Sequence, residues 1–177
     1  LIDFKTRAKM DISERKDFYS DFFGNPDISE REKYKYYTSN DPDILAEKEK
    51  IRKIVTKKGL SSVMNDTKWL KLQNAIKQLP FPPPYIDKLI IDDKTYEEVK
   101  ISKAPHWLGN WDPFYKEGMH LFFTIEYIKV RPCYAEHSGT LVGPKIFNET
   151  EEFKLLLTAL NIPYEEDEGI FTIFGYR

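Results

Sequence analysis

A single cysteine, Cys133, stands in 177 residues, so no disulfide can form within the chain and the composition suits a reducing cytoplasm. Glycine is scarce, with 8 residues, mostly isolated at turns. No Gly-rich phosphate loop, Walker motif or His-Glu-x-x-His run is present. No stretch approaches the roughly 18 consecutive apolar residues of a membrane-spanning helix, and none opens these residues as a charged-then-apolar leader. Neither sign of charge dominates. Lys and Arg number 27 against 29 Asp and Glu, a net charge of −2 that argues against the basic footprint of a nucleic-acid binder. With 41% hydrophobic and 32% charged residues the chain can bury a core, and it reads as a soluble protein of one domain, or one domain with an appendage.

Helical signals fill the first part. Asp11 with Glu14, spaced as a capping box, opens a segment carrying Phe18, Tyr19, Phe22 and Phe23, and Gly24-Asn25-Pro26 ends it. Ser29 with Glu32 repeats the box for a short helix that dies in Thr38-Ser39-Asn40. Asp41 as N-cap and Pro42 at the first helical position start a third, in which Ile44, Leu45, Ile51, Ile54 and Val55 recur at helical spacing up to Gly59. A fourth, from about Ser61 or Asp66 to Leu79, sets Trp69, Leu72, Ile76 and Leu79 on one side. Pro80 stops it, and Phe81-Pro82-Pro83-Pro84 is expected to be a stiff extended spacer.

From Tyr85 the period changes. Residues 85–91, 96–102 and 120–131 are β-branched or aromatic, and Asp92-Asp93 suggests a hairpin between the first two. In the last segment Phe123, Ile125 and Tyr127 alternate with Phe122, Ile128 and Val130, which predicts a central strand covered on both faces. Asn148 with Glu151 forms another capping box, for a helix through Phe153, Leu156, Leu157 and Leu160. Residues 162–165 and 169–176 then make a final hairpin around Glu166, Asp167 and Glu168. The fold class is α+β: an N-terminal helical layer, then an antiparallel sheet of about five strands with one helix packed on it.

Candidate chemistry is thin. Cys133 and His137 have the spacing of one metal-ligand pair, but nothing in the spacing of His106, His120 or Glu136 makes them converge on it, and no metal or cofactor is expected. Cys133 lacks any sign of the lowered pKa and third orienting group that a nucleophile needs. Two features stand out instead. Residues 105–115 pack Trp107, Trp111, Phe114 and Tyr115 into a Gly/Asn/Pro-rich loop, either as a plug closing a sheet edge or as an exposed recognition loop. Between Glu149 and Glu168 seven acids face one base, Lys154, and Glu165, Glu166, Asp167 and Glu168 form an acidic turn suited to a basic partner.

The run Lys57-Lys58-Gly59-Leu60-Ser61-Ser62-Val63-Met64-Asn65-Asp66-Thr67-Lys68-Trp69, with Ile125-Glu126-Tyr127-Ile128-Lys129-Val130-Arg131-Pro132 and the blocks at 161–165 and 169–176, resembles an uncharacterised family of small bacterial proteins. The resemblance covers about residues 46–177 and leaves 1–45 as an N-terminal helical extension. It carries no activity. The small size and α+β pattern are similar to proteins that serve as immunity partners of bacterial toxins. The expected function is therefore a non-catalytic, cytoplasmic protein-binding module, with Trp107, Trp111, Phe114, Tyr115 and the four acids as its contact residues and no nucleic-acid or membrane partner; the sequence leaves the oligomeric state open. The rival is a small hydrolase or nuclease built on His106, His120, His137 or Cys133 with carboxylates.

Overall fold

A computed structural model describes residues 19–92, 101–136 and 143–177. The chain divides into two compact units, residues 1–49 and 50–177. In the first, residues 19–24 are helical and are followed by α1 (Glu30–Asn40). The capping box of α1 forms in both directions: the Glu32 amide donates to Ser29 Oγ and the Ser29 amide to Glu32 Oε2. Aromatic rings make the unit's interior, with Phe22 against Tyr36 at 4.6 Å and Tyr19 stacked on Phe23 at 5.7 Å. The start of the first expected helix lies outside the described residues. Helix α2 (Pro42–Lys58) runs across the boundary; its first turn is capped by Asp41 Oδ1, which accepts from the Asp43 amide at 3.0 Å.

In the second unit α3 (Asp66–Ile76) begins where Asn65 Oδ1 accepts from the Lys68 amide at 2.9 Å. The strands are β1 (Tyr85–Leu89), β2 (Ile125–Val130), β3 (Cys133–Glu136), β4 (Lys145–Asn148), β5 (Glu165–Asp167) and β6 (Ile170–Phe174), and α4 (Thr150–Ala159) lies between β4 and β5. Among the described residues they form a four-stranded antiparallel sheet, order β1-β2-β6-β5, and a separate antiparallel pair, β3-β4. The α+β expectation holds in this form, helices first and antiparallel sheets after.

Ile125, Ile128, Val130, Phe171 and Ile173 are fully buried, and α4 packs on this sheet through Phe153, which meets Phe171 edge-on at 5.2 Å. Trp69 of α3 stacks on Phe122 at 5.8 Å and extends the same core. Truncating a ring such as Phe153 to Ala would cost about 3–5 kcal/mol through lost burial and an unfilled cavity.

Four details depart from the sequence reading. The neighbour of β1 is β2; of residues 96–102 only Ile101 and Ser102 are described, and they are not strand. Strand β2 starts at Ile125, after a short 3-10 turn over Phe122–Thr124, and Glu126 is an extra residue between the pairs Lys88–Tyr127 and Leu89–Ile125. That bulge puts Ile125 in the core along with Ile128 and Val130, while Tyr127 and Lys129 are half-buried, so only one face is completely covered. Glu165, Glu166 and Asp167 lie in β5, and the turn is Glu168-Gly169 alone, both at positive φ (+47° and +73°). This is the geometry of a two-residue hairpin turn whose twist matches its strands. Finally, the N-cap of α4 is Glu149, without a side-chain cap; Asn148 Oδ1 accepts from the Thr150 amide instead, and no capping box forms.

Candidate partner-binding surface

The proline run positions the aromatic loop. Three consecutive prolines offer carbonyls and no amide donors, and each carbonyl is taken: Pro82 by the Gly109 amide at 3.1 Å, Pro83 by the Trp111 indole N–H at 2.8 Å, Pro84 by the Arg131 amide at 2.9 Å. Gly109 fits only without a side chain, because a β-carbon would collide with the Pro83 carbonyl oxygen. The Tyr85 hydroxyl donates to the Asn110 carbonyl at 2.7 Å, and its ring lies 4.7 Å from that of Trp111. Burial, and then the Asp87 carboxylate, push that hydroxyl above the usual tyrosine range. From α3, the Gln73 amide donates to the carbonyls of Trp111 and Asp112.

These contacts split the candidate loop residues. Trp111, 4% exposed, is a plug and an anchor. Trp107 and Leu108, each 44% exposed, stand out on the loop that Trp111 holds. Phe114 and Tyr115 are half-buried in a 3-10 turn, their rings edge-on at 5.5 Å. A cleft of about 350 Å³ opens beside the loop, lined by Leu79, Pro80, Phe81, Asn110 and Asp112 among others.

The acids are divided as well. Glu165 Oε1 pairs with Arg177 at 2.7 Å, and Glu166 Oε2 with Lys154 at 2.7 Å, an interaction that raises the Lys154 pKa through hydrogen bond and charge. Among the described residues no ion pair holds Asp167 or Glu168. Arg131, nearly buried, donates from Nη1 to the Glu168 carbonyl and fixes the turn. Register places Tyr85, Val130, Phe171 and Glu166 in one row across the sheet. The anchors of the loop and of the acidic turn therefore share one end of that sheet.

This scaffold, from the helix leading into α3 to the last strand, coincides with a recognised family. The profile of a family of unknown function (DUF6678) matches residues 51–177. The chain belongs to this family. No curated protein and no solved structure matches it.

In this DUF6678 chain the described residues of the rival hydrolase have separate partners. His120 Nδ1 lies 2.5 Å from Asp87 Oδ2, and His106 Nδ1 lies 3.1 Å from the Ala135 carbonyl. Cys133 is buried, with no hydrogen bond to a histidine among the described residues, and His137 lies outside them. No cluster of three His, Cys, Asp or Glu fit to hold a metal occurs among the described residues, and no helix among them is long and apolar enough to cross a membrane.

Two groups escaped the sequence reading. Glu126 takes Lys88 at 2.9 Å and approaches Lys58 at 4.0 Å. Glu149 is buried, 1% exposed, with one carboxylate oxygen accepting from the Phe81 amide at 3.4 Å and the other unbonded. Burial raises its pKa to about 7, with the Phe81 amide opposing and Glu152 adding to the rise. Their partners lie dozens of residues away, where no local spacing could reveal them.

Proposed function

We propose that this DUF6678 chain is a non-catalytic protein-binding module whose contact surface centres on Trp107 and Leu108, with Asp167 and Glu168 at its acidic margin. The exposed Trp107-Leu108 pair carries the reading. Four residues on, Trp111 is swallowed by the core and its indole N–H is bonded, so the loop is held in place while two large apolar side chains are kept in water. Preorganised aromatic anchors of this kind dominate binding energy at protein interfaces, because little conformational entropy is lost when they dock. The two acids without ion pairs favour a basic partner and would speed its approach. The finer reading, an immunity-like partner of a toxin, rests on the small size and α+β pattern by analogy.

The test is affinity for the partner captured from the native host, measured with purified proteins. Trp107→Ala is expected to weaken binding at least about 30-fold, the effect of a hot-spot truncation of about 2 kcal/mol, with thermal stability unchanged. Unchanged affinity would move the interface elsewhere. The Asp87–His120 pair favours a second reading, a hydrolase with His120 as base. Turnover of ester or nucleic-acid substrates that His120→Ala abolishes without unfolding would replace the binding proposal.

A further inference from the structure

Among the described residues the small sheet β3-β4 has one guarded edge and one open edge. On the outer side of β3, Ala135 donates its amide to the Pro105 carbonyl at 2.8 Å, and its carbonyl faces His106. Both polar groups of Ala135 thus point away from β4, so the facing pair Ala135–Ile146 is a non-hydrogen-bonded pair of the ladder. By the same alternation Ile146 and Asn148 turn their N–H and C=O groups outward, while Phe147 bonds back to β3. The Glu149 amide, which donates inward to the Pro132 carbonyl at 3.0 Å, confirms the phase. No bond is made to the outward backbone groups of Ile146 or Asn148 among the described residues, and the Ile146 side chain is 52% exposed. Open strand edges template pairing with another strand.

We propose that β4 is a self-pairing edge, through which two copies of this chain join antiparallel about a two-fold axis at Phe147. The occupant and the register follow from the strand itself. Outward residues must face outward residues, so the axis passes through a residue. Centring on Lys145 or Ile146 would bring an outward residue opposite Pro144, which has no N–H to give. Centring on Asn148 would bring Ile146 opposite Thr150, already in α4. Centring on Phe147 pairs Ile146 with Asn148 of the second copy and the reverse, closing four hydrogen bonds.

Side chains agree with this register. Phe147 meets its own copy in a non-hydrogen-bonded pair, where side chains are closest. It already stacks on Tyr134 at 6.1 Å, and Tyr134 lies 6.0 Å from Phe81, so the join extends three rings into a continuous ladder of six. Lys145 faces Glu136 on its own β3 and takes a register position opposite Glu149 of the copy, whose carboxyl is buried inward and makes no charge pair across the join. The interface is isologous and closes on itself, so it stops at a dimer. A four-residue edge is small, which places the equilibrium in the micromolar to millimolar range. This surface is separate from the Trp107 loop, and either proposal can fail without the other.

Sedimentation of the full chain over a wide concentration series is expected to show a monomer–dimer equilibrium. Ile146→Pro removes an outward N–H that the monomer does not use, so it should leave the fold intact and abolish the dimer. Phe147→Cys in a Cys133→Ser background should oxidise to a covalent dimer, whereas Lys145→Cys, two residues off the axis and so four register positions from its copy, should not. A monomer at every concentration, or a dimer that survives Ile146→Pro and does not link through position 147, overturns the proposal. Should Ile146→Pro fail to fold, the two cysteine variants decide alone.

Discussion

Glu149 offers a quantitative test of the packing around α4. Its carboxyl is 1% exposed, keeps one weak hydrogen bond, from the Phe81 amide at 3.4 Å, and has an orphaned Oε1. In the unfolded chain it titrates near the ordinary 4.5, and burial lifts it to about 7 in the folded protein. A raised acid binds its proton more tightly when folded. The favourable contribution is therefore complete below the unfolded value, falls as the pH climbs through this interval, and is gone above about 7. Two and a half pKa steps at about 1.36 kcal/mol each amount to about 3 kcal/mol lost to ionising this one group.

Glu149→Gln keeps the shape and removes the charge. Its amide leaves a donor unsatisfied where Oε1 sits, which takes back about 1 kcal/mol. The variant should thus be more stable than the wild type by about 2 kcal/mol near pH 8, with the advantage shrinking toward pH 4.5. Urea melts of both proteins across that range isolate the effect, because other carboxylates cancel in the difference. A flat difference curve, or a variant that is less stable near pH 8, would show that the carboxylate is not buried as described and would refute the reasoning.

Three further outcomes follow from the same contacts. Trp111→Ala should cost about 3–5 kcal/mol in chemical denaturation, whereas Trp107→Ala, on the exposed part of the same loop, should stay within about 0.5 kcal/mol of wild type. Gly109→Ala should destabilise by about 1–3 kcal/mol and quench or shift Trp111 fluorescence, since the new methyl displaces the loop from the Pro83 carbonyl. Changing Asp167 and Glu168 together to Asn should leave stability unchanged or raise it by about 0.5–1 kcal/mol, because Asn tolerates the positive φ at 168 better than Glu. The same change should slow association with a basic partner in a salt-dependent manner, read by stopped-flow mixing.

Much of the architecture was legible in short-range chemistry. Ser29 with Glu32, Asp41 before Pro42, and the expected start at Asp66 each mark a helix start that the folded chain uses, because a capping side chain reaches only two or three residues along the backbone. The proline run was readable as a spacer for the same local reason: ring geometry and missing donors act wherever the residue sits. The candidate surface was legible as a composition, four aromatics in one loop and four acids in one hairpin.

Which of those residues would face water was a tertiary decision. Trp107 and Trp111 are chemically identical and four apart; the Pro83 carbonyl, 28 residues upstream of Trp111, and the Tyr85 ring draw one of them into the core and leave the other outside. Likewise Asn148 and Glu151 have the spacing of a capping box, but Glu149 is drawn inward beside Phe81, 68 residues away, and takes the cap position. Strand β1 finds a partner in β2, far along the chain. Alternation specifies a strand's faces but not its neighbour, and a single bulge at Glu126 moves Ile125 to the buried side. The starts of α1, α2 and α3 thus came from the sequence by itself, since their energies are settled within a few residues. Burial, pairing partners and the raised pKa of Glu149 came only from the fold, which brings together groups that are far apart along the chain.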